Sequence, residues 1–195
     1  MSFQIAGQRP WPRPPAGMFS GIVPVQQAIA RAEDTIIVLV EIRAFPTGCV
    51  LDVVAAVRRG DDEHEQFLDD PVRRIQMMFF SGSSDGPLLD NMLRFEVRFE
   101  DGRKASTTQG GRVSDTRQLP RNGEQVILVP IHGQAGGTAP DVLEIHQPLW
   151  LSPVPCAGTC ELTVDWPAFG IKGNSLTLDG AVIGEAAARS TSYWD

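Results

Sequence analysis

The apolar positions of this chain recur mostly in twos. From residue 93, Leu93, Phe95, Val97 and Phe99 alternate with Arg94, Glu96, Arg98 and Glu100, which is the period of a strand with one dry face and one wet face. Asp101-Gly102 comes next. That pair favours a type I′ turn, whose two central residues need positive φ, so residues 103–108 are expected to return as the partner strand.

Upstream, "TIIVLVEIRAFPTGCVLDVVAAVRRG" predicts a β-hairpin over residues 35–59 with its turn at "PTG". Straight alternation puts Ile36, Val38, Val40, Ile42 and Ala44 on one face of the first strand and Ile37, Leu39, Glu41, Arg43 and Phe45 on the other. In the return strand Cys49, Leu51, Val53, Ala55 and Val57 share a face. Further strand-like runs lie at 23–31, 74–80, 125–132, 142–151, 160–166 and 175–178, each bounded by Gly, Pro, Asn or Asp. Only "DGAVIGEAAARS" has helical character: Asp179 is placed to cap it, alanines fill it, and Arg189 sits near its negative end. Residues 81–90 and 133–140, rich in small residues and turn formers, read as surface loops. Many short strands with one terminal helix give the expected class: mainly β, a two-sheet antiparallel β-sandwich with one short C-terminal helix. Pro10, Pro12, Pro14 and Pro15 set off residues 1–20 as a proline-rich N-terminal arm, leaving 21–195 as a single β-sandwich domain.

Composition narrows the function classes. A chain of 195 residues is long enough to bury a core without covalent staples. Its 17 Lys and Arg against 24 Asp and Glu give a net charge of −7, a field that repels phosphate backbones, so no nucleic-acid partner is expected. No run approaches the roughly 18 apolar residues of a membrane span, and the N-terminus lacks the basic and apolar regions of a secretion signal. A cytoplasmic protein is the expectation. Three cysteines without a secretion signal fit a reducing compartment.

Candidate chemistry is sparse. Cys156 and Cys160 lie four positions apart in "CAGTC" and are open to three readings: structural thiols, a disulfide, or part of a metal clip. Strand parity favours the first, because Cys160 shares a face with Leu162, Val164 and Trp166, and Cys49 also falls on an apolar face. His64, His132 and His146 stand alone, without the paired spacing of zinc ligands. His146 falls on the face opposite Leu143 and Ile145, with Glu144 and Trp150. The densest charge cluster, "GDDEHEQFLDD", holds Asp61, Asp62, Glu63, Glu65, Asp69 and Asp70. Hard oxygen ligands in a loop beside a sheet suit calcium, although the spacing departs from an EF-hand; a solvated acidic connection is the plainer reading. There is no phosphate-cradling GxxxxGK[ST] and no HExxH. No cofactor is expected.

The stretches "GMFSGIVPVQQAIARAEDTIIVLVEIRAFPTG", "LRFEVRFEDGRKAS" and "PLWLSPVPCAGTCELTVDWPAFGI" resemble small uncharacterised actinobacterial β-rich proteins. The resemblance implies a bacterial cytosolic origin and transfers no catalytic residue. The residues themselves point first to a non-enzymatic protein-interaction or self-assembly module whose partner is another protein or itself, as a homo-oligomer, because strand edges offer unpaired N–H and C=O groups. The alternatives are a calcium-binding β-sandwich using the acidic loop 61–70, and an enzyme with an unrecognised site.

Overall fold

The computed structural model describes residues 13–58, 92–107, 125–131, 134–139 (backbone) and 141–194. In chain order these form β1 (Met18–Phe19), β2 (Gly21–Arg31), β3 (Thr35–Phe45), β4 (Gly48–Arg58), β5 (Arg94–Phe99), β6 (Lys104–Ser106), β7 (Ile127–Pro130), β8 (Gln134–Ala139), β9 (Val142–Ser152), β10 (Thr159–Trp166), β11 (Ile171–Asp179), α1 (Gly180–Ala188) and β12 (Thr191–Ser192). The protein is mainly β with one short helix. Among the described residues the strands make three antiparallel sheets rather than two: one ordered β2-β3-β4-β9-β7 with β8 also on β9, one ordered β11-β10-β5-β6, and a small ribbon of β1 with β12. The predicted strand at 74–80 and loop at 81–90 lie outside the described residues.

The two larger sheets share one apolar core. Cys49, Leu51, Val53, Ala55 and Val57 of β4 face it from one sheet, and Cys160, Leu162, Val164 and Trp166 of β10 face it from the other, all buried as the alternation predicted. Phe95, Val97 and Phe99 join them from β5. The Cys49 and Cys160 thiols come close enough across the sheets for one to disfavour ionisation of the other.

β3 departs from straight alternation. Its pairing with β4 slips between Leu39 and Glu41, leaving Val40 as an extra residue. Ile37 and Leu39 face the core before the slip, Ile42 and Ala44 after it. The expected faces therefore cross over at Val40. The physical reason is visible in the side chains: without the bulge, Glu41 and Arg43 would follow Leu39 into the core, and a one-residue shift turns both outward. There Arg43 Nε donates to Asp52 Oδ2 at 2.6 Å and Nη2 to Oδ1 at 3.0 Å.

The turn after β5 also differs from expectation. Gly102 N–H donates to Phe99 O and Phe99 N–H to Arg103 O, enclosing a three-residue loop. Gly102 has φ 87°, whereas Asp101 is not in the positive-φ region. This is a type I turn at Glu100-Asp101 closed by a left-handed glycine, the three-residue hairpin with a G1 bulge, and not a type I′ turn. Asp101 accepts from the Arg103 backbone N–H at 2.9 Å and from its Nε at 2.7 Å, which holds its carboxyl below the usual range. The return strand is the short β6.

Within the stretch expected to be a loop, Gln134–Ala139 form β8, through backbone pairing to the first half of β9; the second half pairs with β7. Gln147 sits where β9 changes neighbour, its Nε2 donating to Ile131 O at 2.9 Å and Pro148 O at 3.1 Å. α1 begins where predicted, with Asp179 Oδ1 accepting from Ala181 N at 2.8 Å and Val182 N at 3.3 Å. It buries Ile183, Ala186 and Ala187. β2 passes beneath it at Gly21, where a Cβ would collide with the backbone of Ala186.

Candidate functional site

A second apolar cluster lies on the outer face of the larger sheet. Phe45, Val50, Val129 and Trp150 are buried there, with Met18, Ile127 and Ile131 packed against them. Gly48 permits the Trp150 ring to cross the end of the hairpin, since a Cβ would lie 2.6 Å from Trp150 Cζ2. Met18 belongs to β1, so the terminal ribbon reaches this face. On the ribbon Phe19 and Tyr193 meet edge to face, ring centroids 4.5 Å apart, and both are exposed, as is Trp194.

The sequence-derived candidates separate into those the structure places and those it does not describe. Cys49 and Cys160 are buried and Cys156 is exposed, all three as free thiols. Burial pushes the Cys160 thiol up to about 11 and raises Cys49 as well, by desolvation first and by its proximity to Cys160 second. Neither is an activated nucleophile, because a reactive cysteine needs its thiolate stabilised. His146 is exposed on the outer face, as its parity predicted, with Nε2 3.8 Å from Glu144 Oε2. Among the described residues no group of three or more His, Cys, Asp and Glu is arranged to hold a metal. The calcium candidates Asp61, Asp62, Glu63, Glu65, Asp69 and Asp70 lie outside the described residues, as do His64 and His132. Arg31, Ala32, Glu33, Asp34, Thr35, Ile36, Ala56, Arg58 and Val142 line a shallow groove of about 210 Å³.

Sheet edges separate more sharply. Among the described strands β2 pairs only with β3, and it carries the devices that blunt an exposed strand: Pro24, a left-handed Gln26 at φ 50°, and register slips between Pro24 and Gln27 and between Ala28 and Ala30. β7 is four residues long and ends on Pro130; β6 has three residues. β11 has none of these features from Asn174 onward. It pairs with β10 in unbroken register from Asn174↔Val164 to Asp179↔Thr159, and with no other described strand.

The phase of that pairing follows from two bonds. Gly180 N–H donates to Gly158 O at 2.8 Å, and Glu100 N–H to Thr159 O at 3.0 Å. Because an antiparallel ladder alternates hydrogen-bonded and non-bonded pairs, Leu178, Leu176 and Asn174 exchange bonds with β10. Ser175 and Thr177 then turn their N–H and C=O groups outward. Gly173, Asn174, Ser175 and Thr177 are exposed and Leu176 is half-buried. No charge lies between Lys172 and Asp179. The sequence marked 175–178 as a strand; its position at the rim depends on strand order, which no local signal carries. No helix among the described residues is long and apolar enough to cross a membrane. The chain matches no protein-family model and no curated protein sequence.

Proposed function

We propose that this protein is an interaction module that accepts an extended strand of a protein partner along the open edge of β11, extending the β11-β10-β5-β6 sheet. The observation that carries the reading is the outward-facing backbone of Ser175 and Thr177 in the regular stretch of β11 from Asn174 onward, which carries no charge before Asp179. An added strand would satisfy those groups, and main-chain bonds of this kind supply affinity in β-augmentation complexes. The contrast with β2, where a proline and two bulges block the same event, supports the choice of edge. The free thiols, with Cys156 exposed, suit the reducing cytoplasm of a bacterial cell.

The test is an NMR titration of the labelled full chain with a peptide copying residues 172–180. Strand addition predicts saturable shifts concentrated in β11 and slowed exchange of the Ser175 and Thr177 amides. Both effects should vanish in Thr177→Pro. That substitution removes an outward N–H and leaves the bonds to β10 in place, as proline on an edge strand can. Shifts spread over the surface, or equal binding by Thr177→Pro, would sink the reading.

A further inference from the structure

Resting on that reading, we infer that the strand received by β11 is β11 of a second copy, paired antiparallel about a two-fold axis at Leu176. The segment is its own complement. Gly173 to Leu178 carries no charge, so two copies with a net charge of −7 each approach along the stretch where like-charge repulsion is least. The charges stand at opposite ends, Lys172 at the start and Asp179 at the finish. Antiparallel pairing centred on Leu176 sets Asp179 of one copy opposite Gly173 of the other, one position from Lys172. Both charged residues are exposed. A parallel alignment would bring like ends together instead.

The hydrogen-bond phase agrees with this centre. Ser175 of one copy falls opposite Thr177 of the other, and the reverse pair follows by symmetry. These are the residues whose N–H and C=O groups face outward, so each pair exchanges two bonds, and Ser–Thr neighbours suit the exposed face. Leu176 then meets its own copy in a non-bonded pair, where side chains stand closest. This leucine is half-buried and packs on the core from the rim, so the contact covers apolar surface that the single chain leaves wet. Two four-stranded sheets become one continuous sheet of eight, and each β11 loses its open edge. A closed two-fold contact of this type ends at the dimer, because the same patch is used on both sides.

Sedimentation equilibrium on the full chain, with chemical cross-linking, decides the matter. The expected result is a dimer for the wild type and a monomer for both Thr177→Pro and Thr177→Lys, with unchanged far-UV circular dichroism in at least one of them. In a Cys156→Ser background, Leu176→Cys should form an intermolecular disulfide when glutathione disulfide oxidises the two thiols, being itself reduced to two glutathione molecules. Val182→Cys, exposed on α1, should not. A monomeric wild type that still binds the 172–180 peptide overturns the self-pairing and leaves strand addition standing. A monomer that binds no peptide overturns both. A dimer unaffected by either Thr177 substitution, or cross-linked equally through Val182→Cys, places the contact elsewhere and overturns the inference.

Discussion

Replacing Cys160 with serine exchanges one atom and tests how dry the core between the two sheets is. Cys160 is 1% exposed. Its strand neighbours are Phe99 on β5 and Leu178 on β11, and the nearby polarisable group across the core is the Cys49 thiol. None of the three side chains is a good acceptor for a hydroxyl. A thiol tolerates such a site as a small apolar group, whereas a hydroxyl loses its water bonds and finds no replacement, at a cost of about 1–3 kcal/mol. With a urea m-value of about 2 kcal/mol/M, the unfolding midpoint should fall by roughly 0.5–1.5 M at unchanged m. Cys160→Ala leaves a small void and no orphaned polar group, so it should be the less damaging change although serine is closer to cysteine in size. Cys156→Ser is the external control. Its Cα and Cβ lie against Gly184 of α1, and serine keeps both atoms, so stability should move by no more than about 0.5 kcal/mol. Equal losses at positions 156 and 160, or a Cys160→Ser protein more stable than Cys160→Ala, would refute a dry site lined by apolar groups.

Three further outcomes follow from the same geometry. Asp179→Ala removes the acceptor for two orphan N–H groups at the start of α1 and should cost about 1 kcal/mol in chemical denaturation, most of it restored by Asp179→Asn. Gly21→Ala drives a methyl group into the backbone of Ala186; with β2 and α1 both fixed by packing, a loss of about 1–3 kcal/mol is expected, read as a lowered Tm. The thiols also set an alkaline limit. Folding raises Cys160 from 9.0 to about 11, so the unfolded chain releases this proton first as pH rises. That contribution to stability is intact below about pH 9 and is lost as pH climbs toward 11. Urea midpoints across this range should fall less steeply for Cys160→Ala than for the wild type, and parallel curves would remove the thiol as a cause.

Where strands run in straight register, the chain reads correctly from its alternation: 95–99, 49–57 and 160–166 bury the residues their parity assigned to the core, with Leu93 half-buried at the start of the first run. The misread places share one cause. At Val40 a single inserted residue exchanges the faces of β3, and nothing in "VLVEIR" announces it, because the bulge serves Glu41 and Arg43, which must avoid a core assembled from distant strands. At Asp101-Gly102 the dipeptide fits either of two turns, and the pairing of Phe99 with Arg103 selects the three-residue one. β8, "QAGGTA", lacks bulky or β-branched content apart from Thr138 and exists through its ladder with β9, a partner that local propensity does not see.

The proposed site shows the same limit from the functional side. Ser, Thr and Asn on the wet face of a strand are unremarkable when another strand lies alongside, since the neighbour satisfies every backbone group. They acquire meaning at a rim. β2 is the informative comparison, because it sits at the edge of the other large sheet and carries Ile22, Val23, Val25, Ile29 and Ala30, an apolar run that would recruit foreign strands if it lay flat. There Pro24, Gln26 and two register slips disrupt the ladder and keep the edge from templating a partner. At β11 the ladder stays regular and charge is displaced to Lys172 and Asp179, just beyond the outward groups of Ser175 and Thr177. A chain under pressure to remain single would be expected to place a lysine or a proline at one of those two positions, where neither would disturb the bonds to β10. Both positions are instead filled by residues that pair well across strands, and this difference between the β2 and β11 edges is the physical basis for proposing the contact at β11.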